Sequence, residues 1–146
     1  MAPLDDLPFA TTLLVRDNCL CLHVQRAARA LVRRFDEALR PVGLTSGQFS
    51  LLMALNRPEP PGIGPVAALL AMDRTTLTAN LKPLERLGFV VVGTGDTDKR
   101  RRVLTLTAAG RAALVAAMPV WERTHRALEA LVSNADRLRG DLAALS

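Results

Sequence analysis

The stretch DRTTLTANLKPLERLGFVVVGTGDTDKRRRVLTLT, running from Asp73 to Thr107, decides how the chain is read. It opens on Asp73, whose carboxylate suits a helix N-cap, and reaches Gly88, which suits the left-handed position that ends a helix. Between them Leu77, Leu81 and Leu84 recur at the helical period and form a packing stripe. Any helix needs such a stripe to pack, so the outer face carries the information. There Thr75, Ala79, Lys82 and Arg86 project together, with Thr76 and Thr78 flanking and Arg74 at the first helical position. Short side chains let a helix sit deep in a groove. Hydroxyls bond bases or phosphates, and the cations further along hold a phosphate backbone. Pro83 removes a donor inside this helix and predicts a bend or a lost bond.

The second half predicts two short strands, FVVV and a return over about 101–106, joined by the tip GTGDTDK. Glycine and aspartate are the residues tight turns need. Asp98-Lys99-Arg100-Arg101-Arg102 brings a net +3 into five positions. A charge run by itself is most often a solvated face. Its position at a hairpin tip, next to a groove-sized helix, favours a polyanion.

Outward from this stretch, the chain predicts helices. Apolar residues from Leu20 to Leu39 keep helical spacing within a long first helix, about Asp17 to Arg40. Arg26, Arg29, Arg33 and Arg40 lie on its other face. It stops near Pro41-Val42-Gly43. Thr45-Ser46-Gly47-Gln48 is a capping box that starts a second helix over 46–55, burying Phe49, Leu52, Met53 and Leu55. Four prolines in residues 57–65 require a loop, and Pro65 suits the first position of a short helix ending near Ala71. With the Asp73 helix this makes a helix-turn-helix. Thr107 is the expected cap of an Ala- and Leu-rich helix over 108–132, kinked at Pro119. Asn134 starts a last segment in which Leu138, Leu142 and Leu145 share a face. Residues 1–12 read as an irregular arm broken by Pro3 and Pro8.

The chain has 146 residues, 19 basic against 14 acidic, and a net charge of +5. That length suits one compact domain. No apolar run reaches membrane-spanning length, and the acidic start lacks a signal-like pattern, so the expectation is a cytoplasmic protein with no membrane partner. With no tyrosine and few aromatics, a stacking platform for single strands is disfavoured. No base, orienting acid or phosphate loop accompanies the cysteines, so the expectation is no enzyme, no cofactor and no catalytic residue. Cys19, Cys21 and His23 on a helix would not converge on a metal, so no metal site is expected.

These motifs resemble the multiple antibiotic resistance regulator (MarR) family of bacterial transcription factors, over about residues 17–146. The resemblance rests on Asp98-Lys99-Arg100 followed by Leu104, Leu106-Thr107 and Gly110. It rests also on MDRTTLTANLKPLERLG, with its Leu-Glu-x-x-Gly end. It implies a mainly α fold with a small β wing: a winged helix-turn-helix lobe over about 44–107, and dimerisation helices over about 9–43 and 108–146. It further implies a homodimer on double-stranded DNA, with two recognition helices in successive major grooves of a pseudo-palindrome. Arg100 would enter the minor groove, oriented by Asp98, with Arg101 beside it. Lys99 departs from the family, where many members carry arginine.

Family members respond to a small molecule or to oxidation. Cys21 sits where the hydroperoxide-sensing branch has its reactive thiol, near a helix start that favours the thiolate. This chain lacks that branch's tyrosines and a resolving cysteine near its C-terminus, and a small buried hydrophobe is the plain alternative for Cys19 and Cys21. A ligand cavity lined by His23, Arg29, Trp121 and His125 is the other expectation. The reading is a regulator, of the repressor type, released by one of these signals. A winged-helix module that binds RNA or protein without sequence preference is the alternative.

Overall fold

The computed structural model describes residues 7–146, so the part of the arm holding Pro3 lies outside the described residues. The chain forms two compact units, one up to Arg34 and one from Phe35 onward. The first unit holds helix α1, Phe9–Asn18, and most of α2, Leu20–Leu39. Two expectations are corrected here. Residues 9–12 are helical, not irregular, because Pro8 acts as the extended N-cap residue and its carbonyl accepts from Thr11 N–H at 2.9 Å. The single long helix from Asp17 is in fact broken at Cys19, which is extended at φ −70°, ψ 111°.

The break has a local cause. The Asn18 side-chain amide donates to the Leu14 carbonyl at 2.8 Å, the kind of side-chain bond that competes with helix continuation. The Cys19 thiol then takes the capping place of α2, accepting from Leu22 N–H at 3.5 Å. Leu20, Val24, Leu31 and Val32 on α2 remain exposed.

In the second unit the end of α2 passes through the 3-10 turn Arg40–Val42 to Gly43 at φ 77°. Helix α3, Ser46–Leu55, begins with the expected capping box. Gln48 N–H donates to Thr45 Oγ1 at 3.1 Å, and Thr45 N–H to Gln48 Oε1 at 3.0 Å. It buries Phe49, Leu51, Leu52, Ala54 and Leu55, while Met53 is exposed, contrary to expectation. A helix packed on two sides loses the one-face rule, so Leu51 goes inward and Met53 does not.

Helix α4, Ile63–Leu69, follows, with Gly62 as N-cap. Pro65 is therefore its third residue, not its first. Its missing N–H falls in the first turn, where amides have no intrahelical partner, so the helix starts earlier than proline alone suggested. Ala71 turns the chain at φ 52°, and α5, Arg74–Arg86, begins at the Asp73 cap. Leu77, Leu81 and Leu84 are buried as expected, and α5 runs through Pro83 to Arg86.

Gly88, at φ 75°, leads to β1, Val90–Thr94, which pairs antiparallel with β2, Arg102–Leu106, in the register Val90 to Leu106 and Thr94 to Arg102. Thr107 caps α6, Ala108–Glu129, and Asn134 caps α7, Ala135–Ala144. The core gathers Leu39, Leu52, Val66, Leu77, Leu84 and Leu104, among others. It thus joins α3, α4, α5 and the wing in one packed body. Leu138, Leu142 and Leu145 on the last segment stay exposed. No helix among the described residues is long and apolar enough to cross a membrane.

Candidate nucleic-acid interface

The start of α5 is set by its cap. Asp73 Oδ1 accepts from Thr76 N–H at 2.7 Å, and Oδ2 accepts from the Thr76 hydroxyl at 2.9 Å. These bonds, the backbone one foremost, hold the Asp73 carboxyl below its ordinary pKa. The Thr78 hydroxyl donates to the Arg74 carbonyl at 2.8 Å. So of the three threonines singled out in sequence, Thr76 and Thr78 already commit their protons within the helix. Thr75 is exposed and makes no side-chain hydrogen bond among the described residues. Arg74, Lys82 and Arg86 are exposed along the same helix.

The wing tip, residues 95–101, is a tight turn. Gly95 N–H donates to the Arg101 carbonyl at 2.8 Å, and Arg101 N–H to the Asp98 carbonyl at 3.1 Å. A Cβ on Gly95 would stand 2.8 Å from that Asp98 oxygen, so glycine is required for the closure. Asp98 was expected to orient the Arg100 side chain. Instead Asp98 Oδ1 accepts from the Arg100 backbone N–H at 2.9 Å, so it shapes the turn and leaves the guanidinium unpaired by it. A short carboxylate reaches an amide two residues on more readily than a long guanidinium folded back. Lys99, Arg100 and Arg101 are all exposed.

The loop ahead of α4 pins the wing base, through a bridge between Gly62 and Val103 and a 2.9 Å bond from Leu104 N–H to the Pro61 carbonyl. This brings the start of α4, the first turns of α5 and the wing around one open cleft of about 530 Å³. Its lining includes Arg74, Thr78, Arg100 and Arg101 from the predicted set. It also includes Arg102, Gly62 and Gly64, which sequence reasoning missed. Thr75, Thr76, Lys82, Arg86 and Asp98 lie outside it. Among the described residues no carboxylate lies within salt-bridge distance of its four arginines. The spacing of Arg100 to Arg102 in the sequence held a hint, but the bridge to Gly62 did not show there.

The sensor candidates divide between the units. Cys19 is half-buried and Cys21 exposed, with Gln25 Nε2 donating to the Cys21 sulfur at 3.2 Å. His23 and Arg29 line a shallow surface with Arg26 and Arg33 on α2. Trp121 stacks on His125 at 4.5 Å between ring centres, and on Phe49 at 6.4 Å. It borders an apolar groove of about 490 Å³ with Phe49, Met53, Leu69, Leu70 and Met118. Among the described residues no group of histidine, cysteine or carboxylate side chains is placed to hold a metal.

No protein-family profile matches the chain. Individual proteins do. The transcriptional regulator MosR of Mycobacterium tuberculosis, solved in complex with DNA, superposes with a TM-score of 0.81 at 41% identity, covering 88% of this chain and 93% of that one. A putative transcriptional regulatory protein for the hcr operon of Thauera aromatica is 30% identical over 121 residues, 81% of this chain and 72% of its own. A MarR-family regulator from Rhodococcus sp. RHA1 shares the fold at a TM-score of 0.74, 22% identity, and 86% and 91% coverage.

The chain belongs to the MarR family.

The transcriptional activatory protein BadR of Rhodopseudomonas palustris is 33% identical over 108 residues, which is 72% of this chain and 58% of BadR. The chain thus spans somewhat over half the length of that curated relative. The expected fold, mainly α with a two-stranded wing in a winged helix-turn-helix, is the observed one. In MarR terms α4 and α5 are the helix-turn-helix and β1–β2 the wing.

Proposed function

We propose that this MarR-family chain is a dimeric, sequence-specific regulator of transcription that acts in the cytoplasm. It reads a pseudo-palindromic operator, represses, and is released by a small molecule or an oxidant. The observation that carries DNA binding is the arginine-lined cleft beside the exposed face of α5. Four guanidiniums line it with no carboxylate within salt-bridge distance among the described residues, and a polyanion is the partner that offsets them. Arg74, Thr75, Lys82 and Arg86 then serve the major groove and Arg100 with Arg101 the minor groove. Thr76, Thr78 and Asp98 shape the elements that carry them. The crystal complex of MosR with DNA supports the same use here.

Dimerisation is supported by apolar side chains left uncovered at both ends of the chain. Leu20, Leu31 and Val32 are exposed on α2, as are Leu138, Leu142 and Leu145 at the end of the chain. A second copy would cover such stripes by self-complementary packing. In this reading residues 44–107 are the DNA-binding lobe, and residues 9–43 and 108–146 are the dimerisation helices. An effector acts by binding the two spacings of the recognition helices unequally. The apolar groove beside Trp121 suits an aromatic ligand, and the exposed Cys21 near the start of α2 suits an oxidant. We propose no enzymatic activity, in line with relatives described as regulators.

Footprinting on the chain's own promoter tests the reading. Two protected patches about 10 base pairs apart, centre to centre, are expected for a dimer in successive major grooves. Uniform protection along the fragment would instead fit a module that binds without sequence preference. That result would overturn the proposal.

A further inference from the structure

Arg139 holds two carboxylates at once. Its Nη1 donates to Glu129 Oε1 at 2.8 Å, and its Nη2 donates to Asp136 Oδ1 at 2.6 Å. Glu129 is the last residue of α6 and Asp136 lies in the first turn of α7, so the guanidinium spans the elbow over residues 130–134. Among the described residues this is the only side-chain hydrogen bond between the two helices. Apolar packing does not hold α7: among the described residues none of Ala135–Ala144 is buried, and Leu138, Leu142 and Leu145 are exposed. The elbow's backbone bonds, from Leu131 N–H to the Leu128 carbonyl at 3.0 Å and from Val132 N–H to the Glu129 carbonyl at 3.3 Å, end before α7 begins. At about 100° per residue, Arg139 lies roughly a quarter turn from the leucine stripe. Fixing it against α6 therefore fixes the roll of α7, and with it the direction in which the leucines face.

We infer that Arg139, clasped between Glu129 and Asp136, is a positioning residue that holds the leucine face of α7 in the orientation a second copy meets. The inference rests on the dimer proposed above and adds the group that prepares its surface. An exposed ion pair alone contributes little, but a guanidinium forked between carboxylates of two elements has the geometry in which such a contact counts. Association must order whatever segment is mobile, and a helix aimed beforehand spares that cost. A symmetric dimer carries the clasp twice. The clasp also has a signature that the leucines lack. Salt screens exposed charges, whereas it does not weaken apolar contacts.

Fluorescence-detected sedimentation of the full chain, over a dilution series and a salt series, tests the clasp. Arg139→Gln and Glu129→Gln are each expected to raise the dimer dissociation constant by about fivefold at low salt. Glu129→Gln leaves the sequence of α7 untouched, so its loss cannot come from a weakened helix, and circular dichroism verifies that helix content is kept in both. The double variant should lose no more than either single one, because all three lack the same bond. The gap to the wild type should close as salt approaches about 1 M, where screening has already weakened the wild-type clasp. If the wild type stays monomeric at every concentration, the dimer reading itself fails. If it dimerises and Arg139→Gln keeps its dissociation constant, the clasp alone is overturned. Additive losses in the double variant, or a gap that persists at high salt, would make the two residues separate contacts with the second copy and also overturn it.

Discussion

The Thr107 hydroxyl donates to the Gly88 carbonyl at 2.7 Å while accepting from Gly110 N–H at 3.0 Å. One side chain thereby joins the residue that ends α5 to the first turn of α6. The Phe89 carbonyl accepts from Thr107 N–H at 3.0 Å and doubles the joint. The helix proposed to enter DNA and the helix proposed to build the dimer thus share a fixed corner. A change in how α6 is placed has a direct route to α5.

Thr107→Val removes the hydroxyl and keeps the shape. Unfolding free energy should fall by about 1–2 kcal/mol, from a lost cap and an unpaired Gly88 carbonyl. Thr107→Ser should restore most of it. Urea denaturation measures both, and a Val variant as stable as the wild type would contradict the joint.

Gly110 is needed for the same corner. A Cβ there would collide with the Phe89 carbonyl oxygen and stand 2.7 Å from Leu106 Cδ1. Gly110→Ala should destabilise by about 1–3 kcal/mol, since backbone cannot yield as a flexible side chain does. A neutral or raised urea midpoint would show that α6 shifts freely on the wing.

Ala71 is the one described non-glycine residue at positive φ, at 52°. The left-handed conformation costs an alanine about 1–2 kcal/mol, and glycine's larger unfolded-state entropy returns part of that. Ala71→Gly should therefore stabilise by up to about 1 kcal/mol in urea. A loss of stability would contradict the turn between α4 and α5.

Asp73 carries a pH dependence. Its folded pKa lies below the ordinary 3.8, chiefly through the Thr76 backbone N–H and then the Thr76 hydroxyl. A depressed acid stabilises the fold above its unfolded pKa, and that contribution is lost as pH falls below about 3.8 towards the folded value. Asp73→Asn keeps a good cap but cannot titrate. Its urea midpoint should fall less steeply than the wild type's below pH 4. Parallel curves would remove Asp73 from the acid response.

Leu77 is fully buried on α5. Leu77→Asp puts a charge among Leu81, Leu84 and Leu104 and should unfold the second unit by circular dichroism. A folded variant that merely loses DNA affinity would mean that Leu77 faces DNA.

What could be read from the sequence was what short spacing controls. Thr45 with Gln48, Asp73, Gly88, Thr107 and Asn134 each act within a few residues, and each stands where expected. The break at Cys19 was not legible, because the apolar period runs from Leu20 onward and the competing bond from Asn18 to Leu14 leaves no pattern. Met53 misled because α3 is packed on more than one side. The cleft was half legible. Arg74, Thr78, Arg100 and Arg101 stood out by type and place. Arg102, Gly62 and Gly64 join them only through the bridge from Gly62 to Val103, a contact between distant parts of the chain.

The central claim is sequence-specific DNA binding, and the ratio of affinities for own-promoter and scrambled duplexes at one salt concentration tests it most directly. Specific regulators typically bind their sites about 10³-fold or more tighter than other DNA, and a ratio of that order is the expected result. Equal affinity for the two duplexes at matched salt would contradict the account.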